Sequence, residues 1–179
     1  MWILTHVNCF RVFALALLIG HVENKYFKLK GISCISRNES TYKFKTCELK
    51  PIKRYVSELS VHLKLSQVIV TKVKVSLFLK RRNDQQNRSI LEYHIDGCAF
   101  FRNKRRNLLA ELFYNFLGIK THSNMNHTCP YDHDVYIDHY TINNKATFPI
   151  PVGSYGIYTQ WELNGVRQID ANLFIEAFD

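Results

Sequence analysis

Nowhere does the sequence hold a Gly-x-Ser-x-Gly nucleophile motif, a phosphate-binding glycine loop or an HExxH zinc helix. These arrangements place a nucleophile, a nest of backbone N–H groups or a metal where chemistry needs them. Their absence removes the usual routes to acyl transfer, nucleotide chemistry and zinc hydrolysis, and neither an enzyme nor a cofactor is expected. Beyond residue 20 no apolar run approaches the ~20 residues a bilayer span requires, so no stable membrane insertion is expected. Acidic residues are also short: 15 Asp and Glu face 24 Lys and Arg, for a formal charge of +9. Charge of that sign favours association with anionic surfaces such as acidic glycans or lipid headgroups, and says little about fold.

The one long apolar run is Val12 to Ile19, preceded by Arg11 and followed by the small residue Gly20 and polar His21 to Lys25. Eight apolar residues between a positive charge and a small residue read as a secretory signal peptide over 1–20. The competing reading is a buried N-terminal strand or an uncleaved anchor. With the leader removed, residues 21–179 are enough for one domain with a real core. Losing Arg11 lowers the formal charge by one, to +8. The product is expected outside the cell, where a nucleic-acid partner is not. Its basic residues are scattered over a solvated surface, except for Lys80-Arg81-Arg82 and Arg102-Asn103-Lys104-Arg105-Arg106. The segment Arg102 to Arg105 also has the form of a convertase cleavage site, at a position that a helix start makes poorly accessible.

Without Cys9, four cysteines remain, an even number in a secreted chain, so two disulfides are expected and metal or redox roles recede. Of three possible pairings, Cys34 with Cys47 and Cys98 with Cys129 each close a local loop of polar, turn-rich sequence. No metal is expected. Asn38, Asn87 and Asn126 begin Asn-x-Ser/Thr sequons in stretches that read as loops, and are the candidate glycosylation sites.

Period two dominates the patterning. Leu59, Val61, Leu63 and Leu65 alternate with polar residues, as do Val73, Val75, Leu77 and Leu79, which marks two half-buried strands. Ser66 to Val70 between them is too apolar for an ordinary turn, so the pair is either one long bulged strand or two strands crossing between sheets. Tyr26–Ser33 and Tyr42–Leu49 read as two strands tied by the first disulfide. In 134–140 the alternation puts His133, Val135, Ile137 and His139 on one face and Asp134, Tyr136, Asp138 and Tyr140 on the other. At the C-terminal end, a two-residue Asn164-Gly165 turn would set Trp161 opposite Gln168, joining an apolar face to a polar one. A three-residue loop over 163–165 is expected instead, pairing Thr159 with Ile169, Ile157 with Ala171 and Tyr155 with Leu173. One segment departs from the β pattern: Leu108, Leu109, Leu112, Phe113, Phe116 and Leu117 recur at helical spacing between a capping Asn103 and a terminating Gly118. Arg105 and Arg106 sit against the positive end of that helix, retained for a partner or tolerated at the surface.

His122, His127, Asp132, His133, Asp134, Asp138 and His139 concentrate the titratable groups, but an extended strand holds His133 and His139 about 20 Å apart, which argues against a metal site. A pH response through His133 and His139 is the weaker functional reading. Aromatic residues are plentiful, with Phe78, Phe100, Phe101, Phe113, Phe116, Phe148, Tyr155 and Trp161 expected on or near inner faces. Either they fill an ordinary sandwich core, or two sheets held slightly apart enclose an apolar cavity.

The order of features carries a resemblance. The leader, the early cysteine pair, the two alternating strands, Asp96-Gly97-Cys98-Ala99-Phe100-Phe101, the helix, Ser123 to Pro130 and Phe148 to Tyr155 resemble an insect family of secreted proteins catalogued as domain of unknown function 1091. That family is similar to the CheB chemosensory proteins and, more distantly, to the MD-2-related lipid-recognition (ML) proteins. The resemblance spans nearly the whole chain after the leader. It implies an all-β, immunoglobulin-like two-sheet β-sandwich, ML-like, with the amphipathic helix inserted near residues 104–117. It further implies a space between the sheets for a hydrophobic ligand, no catalysis, and a chemosensory or pheromone-related setting.

The expected function is that of a secreted, monomeric, non-enzymatic binding protein for a small apolar ligand: a lipid, fatty acid derivative or hydrocarbon. Phe113, Phe116, Tyr155, Ile157 and Trp161 are expected to line its pocket, by facing and size. The competing reading is an extracellular protein with a solid core that binds a cell-surface receptor or anionic glycan through its basic surface.

Overall fold

Alternating sequences become strands because side chains on an extended backbone point to opposite faces in turn, and each strand here buries its apolar set. The computed structural model describes residues 26–53, 56–84, 86–116, 118–141 and 150–178, with Phe116 described by its backbone alone. The leader expected over 1–20, and Phe148, lie outside the described residues. Eight strands run in chain order as β1 (Tyr26–Ser36), β2 (Tyr42–Lys53), β3 (Val56–Leu65), β4 (Val73–Arg81), β5 (Ser89–Asp96), β6 (Val135–Thr141), β7 (Gly153–Leu163) and β8 (Val166–Phe178). They form two antiparallel sheets, ordered β1-β8-β7-β4-β5 and β2-β3-β6. The all-β two-sheet sandwich is therefore the architecture.

Of the two readings of Ser66 to Val70, crossing between sheets is the observed one: β3 belongs to the three-stranded sheet and β4 to the five-stranded one. Val70, almost fully buried, exchanges two backbone hydrogen bonds with Tyr131 (2.8 and 2.9 Å). Asn164 braces the same loop: its side-chain oxygen accepts from the Thr71 and Lys72 amides, and its amide donates to the Ile69 carbonyl.

That Asn164 belongs to the β7–β8 turn, where the structure corrects the expected pairing. Asn164 and Gly165 both adopt positive φ (53° and 87°), as in a two-residue turn, and Leu163 pairs with Val166. Parity is rescued by a bulge: Glu162 pairs with Arg167, but Trp161 pairs with Ile169, so Gln168 is skipped and apolar faces meet. Tyr155 therefore lies opposite Ile175, Ile157 opposite Leu173 and Thr159 opposite Ala171.

Strand β6 holds a second correction. His139 takes a positive φ of 45°, and the β3–β6 register shifts between Leu59 and Val61. The extra residue turns Tyr140 inward with Val135 and Ile137, and leaves His139 in solvent beside Glu58 (2.8 Å). His133 and His139 thus do not share a strand face. Phe78 is a third: it alternates with buried Leu77 and Leu79 and so lies on the outer face, opposite Tyr158.

The helical region is broken rather than continuous. It comprises α1 (Gly97–Arg102), a 3-10 turn (Lys104–Arg106), α2 (Leu108–Phe116) and α3 (Ile119–His122). Asp96, not Asn103, caps the first piece, accepting from the Ala99 amide (2.8 Å), and Asn107 accepts from the Ala110 amide (3.2 Å) at the start of α2. Gly118 ends α2 at φ 62°, the left-handed geometry glycine adopts without strain. α1 rests on β4 and β5 and α3 rests on β6, so the helical segment spans the gap between the outer edges of the two sheets.

Both disulfides form as paired above. Cys34–Cys47 joins β1 to β2, and hence one sheet to the other; Cys98–Cys129 ties α1 to the segment leading into β6. The sandwich is thus bonded covalently along one edge and spanned by helices along the other.

Candidate functional site: an apolar cavity between the sheets

Inward-facing residues of both sheets surround a cavity of about 240 Å³. Leu59, Val61, Leu63 and Leu65 of β3 and Val135 and Ile137 of β6 form one wall. Val73, Val75 and Leu77 of β4, Ile157 and Trp161 of β7, and Ile169 and Leu173 of β8 form the other. Phe100, Phe101, Ala110, Phe113, Tyr114 and Ile119 of the helical segment close the side where the sheets diverge, and Val70, Met125 and Tyr131 lie at the end reached by the crossing loop.

Four polar side chains of this lining, Thr159, Trp161, Tyr131 and Tyr114, are hydrogen-bonded in place. Thr159 Oγ1 accepts from the Trp161 indole N–H (2.8 Å) and donates to the Ala171 carbonyl. The Tyr131 hydroxyl donates to the His127 carbonyl (2.6 Å), and the Tyr114 hydroxyl accepts from Lys104 Nζ (3.2 Å). Burial, with a smaller contribution from Tyr114, pushes the Tyr131 phenol up to about 12, so this end of the wall stays uncharged near neutral pH. A water molecule needs two to four polar partners to settle, and this lining presents a hydrocarbon surface instead. What fits physically is an apolar chain or ring system.

The pocket residues chosen by facing divide as follows. Phe113, Ile157 and Trp161 line the cavity. Tyr155 does not: it is buried in the adjoining core, and its hydroxyl donates to the Pro151 carbonyl (2.7 Å). The side chain of Phe116 lies outside the described residues. Sequence reasoning missed the contributions of β3 and β6, although the alternation of Leu59 to Leu65 already marked the right face.

Outside the cavity, the histidine-rich stretch serves the frame. His133 Nε2 lies 3.0 Å from His127 Nε2, and Nδ1 of His133 lies 3.0 Å from the Asn124 amide. Asp134 accepts from the Leu65 amide and from His62 (both 3.0 Å), fixing the start of β6 to the end of β3. Burial acts to raise the Asp134 carboxyl, but those two hydrogen bonds and the His62 charge bring it below its ordinary value. The hydrogen bond that His139 donates to Glu58, helped by the charge of Asp138, raises His139 above the ordinary histidine value. Among the described residues, no group of three or more His, Cys, Asp or Glu side chains is arranged to hold a metal ion, and no helix is long and apolar enough to cross a membrane.

Fold and cavity together define a disulfide-bonded, two-sheet β-sandwich with a hydrocarbon-lined interior. From the start of β4 to Ile157 in β7, residues 73–157 match a family model described as protein of unknown function (DUF1091). No curated protein matches the chain. Among solved structures, it is similar to chicken MD-1 complexed with lipid IVa, at 11% identity over 87% of this chain and 98% of that chain (TM-score 0.36). It is also similar to a Niemann-Pick type C2 protein from Japanese carpenter ant, at 15% identity over 84% of this chain and 90% of that chain (TM-score 0.33).

Proposed function

We propose that this protein is a secreted, non-enzymatic carrier that encloses a small apolar ligand, a lipid, fatty acid derivative or hydrocarbon, between its two sheets. The observation that carries the reading is the cavity of about 240 Å³, lined by both sheets and the helical segment, with Thr159, Trp161, Tyr131 and Tyr114 hydrogen-bonded in place. The competing reading, a receptor- or glycan-binding protein with a solid core, lacks that space. Two disulfides suit an oxidising compartment, in keeping with the leader proposed over residues 1–20. Asn38, Asn87 and Asn126 are all exposed and are the proposed glycan sites. A chemosensory setting, as the family resemblance implies, would make the ligand an external chemical signal.

Native mass spectrometry of the protein secreted from insect cells, followed by organic extraction, tests the reading. The expected result is a bound lipid whose mass is lost on extraction. A clean unliganded mass that stays unchanged when fatty acids and long-chain hydrocarbons are offered would overturn it.

A further inference from the structure

Four of the five residues 102–106 are cationic, and they sit in the helical segment that closes the cavity. Among the described residues, every ion pair within 4 Å involves other side chains, so this cluster has no carboxylate partner. Arg102, Arg105 and Arg106 are exposed, as expected of solvated charges. Lys104 differs. It is half-buried, its Nζ lies 4.4 Å from the ring centre of Tyr114 and 5.2 Å from that of Phe101, and it donates to the Tyr114 hydroxyl (3.2 Å). Phe101 and Tyr114 both line the cavity. A cation is therefore held against the cavity wall, separated from the interior by no more than the rings it touches. Phe101 is only half-buried, so the wall at this end reaches the surface.

An ammonium in this position is partly stripped of water, and its contacts there are two aromatic faces and one phenol. Aromatic faces attract a cation but do not neutralise it. The group that completes such a site is an anion, bound by a charge-assisted hydrogen bond. Because the rest of the cavity offers hydrocarbon, the matching ligand is amphiphilic: one anionic end and one apolar body.

Resting on the carrier reading, we propose that the ligand is a long-chain anionic amphiphile of the fatty acid class, with its chain between the sheets and its carboxylate at Lys104, beside Arg105 and Arg106. Lys104 is thus a specificity-determining residue that distinguishes an acid from its ester or a plain hydrocarbon.

The test compares palmitate with methyl palmitate on the delipidated protein, read by the fluorescence of Trp161 in the cavity wall. Wild type is expected to bind palmitate about tenfold more tightly than the ester. Lys104→Met, which keeps the aliphatic stem, is expected to remove that preference by weakening palmitate about tenfold while leaving the ester within about twofold. Lys104→Arg is expected to retain it. Unchanged palmitate binding in Lys104→Met overturns the proposal, and so does an equal loss for acid and ester, which would mark Lys104 as a structural support of the wall. If wild type binds the ester as well as the acid, the carrier reading stands and the assignment to Lys104 falls. If it binds neither, both fall.

Discussion

Replacing Val75 with phenylalanine separates a cavity from a tightly packed core by the sign of the effect. Val75 lies in the middle of β4, between Ile95 of β5 and Trp161 of β7, and faces the cavity. Left unfilled, a void costs about 24 cal/mol per Å³, so 240 Å³ corresponds to about 6 kcal/mol, a large share of the 5–15 kcal/mol by which domains are stable. Val75→Phe adds four carbons. At about 0.8 kcal/mol for each, filling the space returns about 3 kcal/mol. In a close-packed core the same change costs about 1–3 kcal/mol through strain. The delipidated variant is therefore expected to unfold at higher denaturant, and about 6–12 °C higher in temperature for a chain of this size, while its affinity for palmitate falls. Equilibrium unfolding in urea and a lipid titration on the same sample check both halves. A lower unfolding midpoint together with undiminished palmitate binding would refute the reasoning, since it would place the introduced ring in strained contact away from the ligand.

Gly118→Ala is expected to cost about 2–4 kcal/mol in urea unfolding, because φ is 62° and an added Cβ would sit 2.1 Å from the buried Tyr140 ring; a loss below about 1 kcal/mol would show that the ring gives way freely. Removing Cys34 and Cys47 together is expected to lower stability by about 3 kcal/mol on the chain-entropy model, and an unfolding midpoint equal to wild type would contradict a constraint across the two sheets. Burial acts to raise the Asp170 carboxyl, but hydrogen bonds and charge from Arg167 and Arg37 (both 2.7 Å) bring it below its ordinary value. A depressed acid stabilises the fold above the unfolded carboxylate value, and that contribution is lost as pH falls through the folded one. Asp170→Asn is accordingly expected to cost about 1–3 kcal/mol at neutral pH, with the difference from wild type shrinking below about pH 4 in urea unfolding followed by pH; a gap unchanged down to pH 2 would exclude the ion pairs as its source.

Much of the sandwich is legible in the chain because alternation is a local signal. Leu59 to Leu65 and Val73 to Leu79 declare both their strand character and their buried faces. The bulges are less legible, since each reconciles two demands that conflict locally. Asn164-Gly165 wants a two-residue turn while Trp161 wants an apolar partner, and skipping Gln168 satisfies both. At His139, strict alternation would have buried a histidine and exposed Tyr140, and one extra residue reverses that outcome. β5 is less legible because only Leu91, Tyr93 and Ile95 alternate in it, at an edge where the other face is solvated. The helical segment showed its period but not its breaks, which fall at Asn103 and Asn107. The cavity itself is a gap left by packing, so no single residue signals it. Facing predicted Phe113, Ile157 and Trp161, while the wall from the other sheet depended on knowing which strands lie opposite.

The sandwich is built like a book, with Cys34–Cys47 as its spine and residues 97–122 as a block inserted between the open covers. The stretch that fixes the fold and the stretch that sets the interior width are therefore different parts of the chain. Exchanging the inserted block alone, with the spine and both sheets unchanged, would retune which molecules fit without redesigning the binding.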